Sequence, residues 1–189
     1  MRKSPPPPPI DRRPRLRNTW DFLASVAADL HAKRVVGYPE QIVQGRMSQS
    51  SADTAIRLAA LIADDWRIAA AGGTIERMTS RHDRVARIAT LQAARDLTAS
   101  RADRATIALR KALPPGNPLP ERDLILMDLR EGRHVSDAVD TWLRATDYAA
   151  GVAALLWWEE CRGGRLDVVC TINAQLRGER PIAEQARAA

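Results

Sequence analysis

The sequence predicts an all-α protein, a multi-helix bundle with a disordered Pro/Arg-rich N-terminal tail. Three observations carry this. Apolar residues recur at spacings of three and four through most of the chain after residue 18. Ser, Asp and Asn stand where helices would begin, and glycines where they would end. The β-branched run that suits a strand is confined to LDVVCTI (166–172), and with no partner strand in sight it reads as helix.

The organisation follows in chain order. Residues 1–17, MRKSPPPPPIDRRPRLR, form a basic low-complexity tail. The run Pro5–Pro9 favours polyproline II, and the arginines have little apolar surface to bury. It serves either as a basic arm, as a ligand for a proline-binding domain, or as a solvated leader. A helical region spans 18–113. Asn18 or Thr19 can cap a helix from Trp20, with Asp21 near the positive end of its dipole and Phe22, Leu23, Val26, Ala27 and Leu30 on one face. Gly37 is expected to end that helix, and Pro39 to open a short turn that Gly45 closes.

Ser50-x-x-Asp53 offers a capping box for the next helix, with Asp53 and Arg57 placed to pair across one turn. Ile56, Ala59, Ile62, Trp66 and Ala69 line its inner face before Gly72-Gly73 stop it. With the helix before it, this makes the expected core hairpin. Residues 74–99 give a third helical pattern. Ile75, Met78, His82, Val85 and Ala89 form a seam suited to pairing, and Arg77, Arg81, Arg84 and Arg95 fall in one arc beside it, diluted by Ile88 and Leu91. Ser100-x-x-Asp103 is a further capping box, so a new helix is expected from Arg101 to Leu113.

PPGNPLP (114–120) cannot continue a helix and reads as a hinge between two helical regions. The second region spans 121–178. It begins with a short helix over Asp123–Glu131, stopped by Gly132. Ser136 then caps a long segment ending at Gly163-Gly164, with Thr146-Asp147 a candidate break within it. Residues 179–189 should fray.

The net charge of +6 is banded: +5 over 1–17, −2 over 18–66, +6 over 67–111 and −3 over 112–189. Such banding suits contact with a polyanion or charge complementarity within the fold. Arginine outnumbers lysine 26 to three, which GC-rich coding also produces. Two cysteines, Cys161 and Cys170, are too few for a disulfide framework. With no signal-like leader and no long apolar run, a cytoplasmic protein with no membrane association is expected.

No motif for chemistry emerges. Phosphate-loop, dinucleotide, nucleophile-elbow and zinc-protease patterns do not occur. His31, His82 and His134 lie on separate elements, and Asp64-Asp65 and Glu159-Glu160 are neighbours that point about 100° apart on a helix. No catalytic, cofactor-binding or metal-binding residue is expected, and no cofactor. A helix-turn-helix opening at Leu129–Val139 is followed by YAAGVAALLWWEE, apolar then acidic, where base-reading side chains would be needed. Trp157-Trp158 cannot both face one core from adjacent helical positions, so one is an interface candidate.

The corner YPEQIVQGRM with SADTAIRLAALIADDW resembles a helical hairpin of uncharacterised bacterial prophage and mobile-element proteins. Tyr38-Pro39, Val43, Gly45-Arg46-Met47, Ala52-Asp53, Ile56 and Asp65-Trp66 carry the likeness, over about a fifth of the chain. The resemblance implies a helical fold and no activity.

The function expected from these readings is a non-enzymatic helical interaction or adaptor protein, plausibly derived from a phage or mobile element. Met78, His82, Val85, Trp157 and Trp158 are its candidate interface for a protein partner or self-association. The alternative is a nucleic-acid-binding accessory protein that contacts DNA or RNA through Arg12, Arg13, Arg15, Arg17, Arg77, Arg81, Arg84 and Arg95.

Overall fold

The computed structural model describes residues 14–75, 80–162 and 166–176. Among them run six helices and no strand: α1 (Trp20–Val43), α2 (Gln49–Ala70), α3 (Arg81–Ala112), α4 (Arg122–Arg130), α5 (Asp137–Arg162) and α6 (Asp167–Leu176). The chain is all-α, as the apolar spacing predicts, and 166–172 is helical. Residues 1–13, 177–178 and the expected frayed end at 179–189 lie outside the described residues, as do Gly163 and Gly164.

α1 and α2 pack as a hairpin joined by residues 44–48. α5 runs antiparallel to α3. Trp142 Nε1 donates to Thr106 Oγ1 at one end of that pair, and Arg84 Nη2 donates to the Glu159 carbonyl at the other. α5 also lies on α1, α2 touches α3, and α6 packs on α2, so α1, α2, α3 and α5 form a ring around one core. Leu23, Val26, Ile62, Trp66, Leu91, Val152, Leu155 and Val169 fill it. Both segments flanking PPGNPLP therefore contribute to a single core.

Gly151 sets the spacing of α1 and α5. A Cβ there would sit 3.0 Å from both Phe22 Cε1 and Val26 Cγ2, so only hydrogen lets the two backbones approach this closely.

Several boundaries differ from the local expectation. α1 does not stop at Gly37 but continues through Tyr38 and Pro39 to Val43. The N–H that proline lacks would have bonded the carbonyl of exposed Val35, which water can take. The stop is Gly45, at φ +67°, where Arg46 N–H reaches back to the Gln41 carbonyl in a Schellman closure. α2 is capped by Ser48, whose Oγ accepts from the Ser51 N–H at 3.2 Å, rather than by Ser50. Asp53 then accepts from Gln49, and Arg57 pairs with Asp83 of α3 at 3.3 Å.

α3 begins at Arg81, not at residue 74. Ser80 Oγ accepts from the Asp83 N–H and donates to the Asp83 carboxylate, and these contacts with Arg57 hold that carboxyl below its ordinary value. The helix then runs unbroken to Ala112, so Ser100 caps nothing; its exposed hydroxyl accepts from Arg104 instead. α5 is likewise continuous past Thr146 and Asp147. Thr146 Oγ1 returns its proton to the carbonyls of Trp142 and Leu143, within the helix.

The tail also ends earlier than expected. Residues 14–17 form a turn docked on the bundle, with Leu16 only 5% exposed and the Arg17 carbonyl accepting from Trp158 Nε1 at 2.9 Å. Burial of Leu16, the Trp158 indole on the Arg17 carbonyl and the Arg15–Asp147 ion pair together hold this short stretch.

Candidate functional site

Among the charge clusters of the described residues, a buried triad and an open groove are the candidates for a site. The first is buried. Arg87 points from α3 into the bundle, its Nη1 donating to Asp65 of α2 at 2.6 Å and its Nη2 to Glu159 of α5 at 2.5 Å. All three side chains are almost sealed from solvent. Burial pushes the Glu159 carboxyl above its ordinary range, against the pull of Arg87. One member of each adjacent carboxylate pair thus converges on one guanidinium across three helices. The cluster ties helices together and is too enclosed to meet a ligand.

The second is an open groove of about 470 Å³ between the C-terminal half of α1 and the middle of α3, floored by Tyr148 of α5. Leu30, Ala93, Ala94 and Leu97 give it apolar walls, and Lys33, Arg34 and Arg101 bring three cations to it. Arg34 is fixed by neutral oxygens: Nε donates to Tyr38 Oη at 3.1 Å, Nη1 to the Leu30 carbonyl at 3.3 Å and Nη2 to the Thr90 carbonyl at 3.4 Å. The i, i+4 spacing of Arg34 and Tyr38 makes the first contact local. Lys33 pairs with Asp29 at 2.6 Å and lies over the Tyr148 ring, 4.1 Å from its centroid. Burial and the neighbouring Asp29 raise the Tyr148 phenol above its ordinary value, so it stays protonated. None of the described residues lining the groove is a carboxylate, histidine, cysteine or serine.

The residues predicted from sequence are scattered rather than gathered. Met78 lies outside the described residues, while His82 and Val85 are exposed on the first turns of α3, Val85 by 62%. They make no seam within the bundle. The inward face of α3 is instead Arg87, Leu91, Ala94 and Thr98. Trp157 is half-buried against the core and meets Trp158 edge-on at 5.3 Å; Trp158 is buried and meets Trp66 the same way at 6.1 Å.

Of the arginines, Arg12, Arg13 and Arg77 lie outside the described residues. Arg15 bonds Asp147, Arg17 donates to the Pro14 carbonyl, and Arg84 donates to the carbonyls of Glu159 and Glu160. Arg95 pairs with its neighbour Asp96, and Arg81 is exposed. Of the described members of that arc, Arg84 turns to α5 while Arg81 and Arg95 stay at the surface. Sequence reasoning missed Arg87 and the groove, because Arg34 and Arg101 are 67 residues apart and share no local pattern.

No protein family, curated protein or solved structure matches this chain. Among the described residues no helix is long and apolar enough to cross a membrane.

Proposed function

We propose that this chain is a non-enzymatic helical interaction protein that acts through protein–protein contacts, with the outer side of α6 as its main docking surface. One observation carries the reading. α6 is apolar over more of its circumference than the bundle covers. Val169, Cys170, Asn173 and Ala174 are buried, with Asn173 Nδ2 donating to the Ala69 carbonyl at 2.8 Å. Val168, Ile172 and Leu176 continue the apolar arc on the solvent side, exposed by 44%, 38% and 75%. At about 100° per residue Val168, Ile172 and Leu176 cover about 80° of the helix, between the buried arc and the polar strip of Asp167, Thr171 and Gln175. An apolar stripe left in solvent beside a buried one fits the surface of a partner. Exposed Val85 is a second contact point.

The test is a photo-crosslinking amino acid placed at Ile172, with Arg144, a polar surface position, as control. An adduct heavier than the chain from Ile172, lost on Leu176→Asp, is expected. A crosslink that stays within the chain, or none, overturns the reading. The nucleic-acid alternative draws less support, since Arg84 and Arg95 are engaged within the chain; DNA and RNA titrations across salt test it directly. A mobile-element origin is proposed from the resemblance carried by YPEQIVQGRM with SADTAIRLAALIADDW, and a cytoplasmic location from the two free thiols.

A further inference from the structure

We propose that the groove between α1 and α3 binds a small organic phosphate monoester, one carrying a flat or apolar body, at a site separate from the α6 surface. The charge of the groove selects the ligand. Lys33, Arg34 and Arg101 face it, and among the described residues the one carboxylate bonded to any of them is Asp29, on Lys33. Arg34 spends its hydrogen bonds on two carbonyls and a phenol, which orient the guanidinium without neutralising it. Arg101 has no hydrogen-bond or ion-pair partner among the described residues.

The local surplus is therefore two positive charges. A phosphate monoester, with close to two negative charges at neutral pH, cancels it; a carboxylate cancels half. Both Arg34 Nη atoms keep a second N–H for a bidentate contact with phosphate oxygens. Fixing those nitrogens before the ligand arrives removes the ordering cost that a free arginine would carry.

The walls select the rest. Leu30, Ala93, Ala94 and half-exposed Leu97 offer the ligand body an apolar surface, and a volume of about 470 Å³ is that of a small-molecule site. Inorganic phosphate would leave those walls wet. An uncharged ring would leave Arg34 and Arg101 unneutralised. Both halves of the ligand are needed for full affinity.

The experiment is calorimetric titration of the full-length protein with adenosine monophosphate, phenyl phosphate, adenosine and inorganic phosphate. The two monoesters should bind, with adenosine and inorganic phosphate at least about tenfold weaker. Arg101→Gln, which disturbs no described contact, should weaken the monoesters about tenfold with an unchanged melting temperature. Leu97→Asp should weaken them likewise. No monoester binding, or binding indifferent to both substitutions, overturns the proposal. A single-stranded oligonucleotide that binds more tightly than the monoesters, and through Arg101, also overturns it and passes the groove to nucleic acid.

Discussion

Arg87 of α3 donates to Glu159 of α5 at 2.5 Å inside the bundle, and the same guanidinium holds Asp65 of α2 at 2.6 Å. Three helices thus meet at one buried cation. Removing it leaves two carboxylates in a site that excludes water. Arg87→Ala should cost about 3–5 kcal/mol, because it takes the guanidinium from buried Glu159 and leaves a void between three helices. Replacing all three residues together by apolar side chains of similar volume should cost far less. Urea unfolding of both variants makes the comparison; equal losses would mean the cluster is not the buried charge site described.

The second expectation concerns pH. The Glu159 carboxyl is raised by burial, so the folded state holds its proton more tightly than the unfolded chain does. Its contribution to stability is complete below the unfolded value, about 4.3, and is lost as pH rises through the higher folded value. Urea midpoints of wild type and Glu159→Gln, compared from acid to neutral pH, report that term as a difference. The wild type should lose ground to the variant as pH rises. A gain would mean that Arg87 outweighs burial.

Gly151 and Gly37 form a matched pair of helix glycines with opposite surroundings. A Cβ at Gly37 meets nothing within 4 Å, whereas one at Gly151 meets Phe22 and Val26 at 3.0 Å. Gly37→Ala should raise stability by about 0.5–1 kcal/mol through helix propensity alone. Gly151→Val should lower it by about 1–3 kcal/mol, by forcing α1 from α5. Thermal unfolding of the two variants checks both signs.

Trp158 Nε1 anchors the Pro14–Arg17 turn through the Arg17 carbonyl. Trp158→Phe loses this bond and part of a buried ring, at a cost of about 1–3 kcal/mol. The turn should then loosen locally. Limited trypsin digestion is the readout: cleavage after Arg17 should be slow in the wild type and prompt in the variant. Unchanged cleavage would mean that buried Leu16 and the Arg15–Asp147 pair hold the turn without the indole.

What the sequence determined is the part of the fold that local forces settle. Apolar spacing made the chain helical. Gly72 and Gly132 ended α2 and α4, Ser136 opened α5, and the prolines of 114–120 broke the chain, because each acts within a turn of its own position. Even there, neighbouring serines competed: Ser48 took the cap that Ser50 also offers, and the Gly37 break yielded to a longer helix closed at Gly45. Tertiary structure alone decided which side of α3 faces inward. An arginine on the buried arc argues against burial until its partners are known, and Asp65 and Glu159 lie 22 and 72 residues away. The groove has the same origin: Arg34 and Arg101 become neighbours only when α1 and α3 are placed around α5. Helices follow from interactions a few residues apart, whereas charge compensation and cavities follow from contacts that only packing creates.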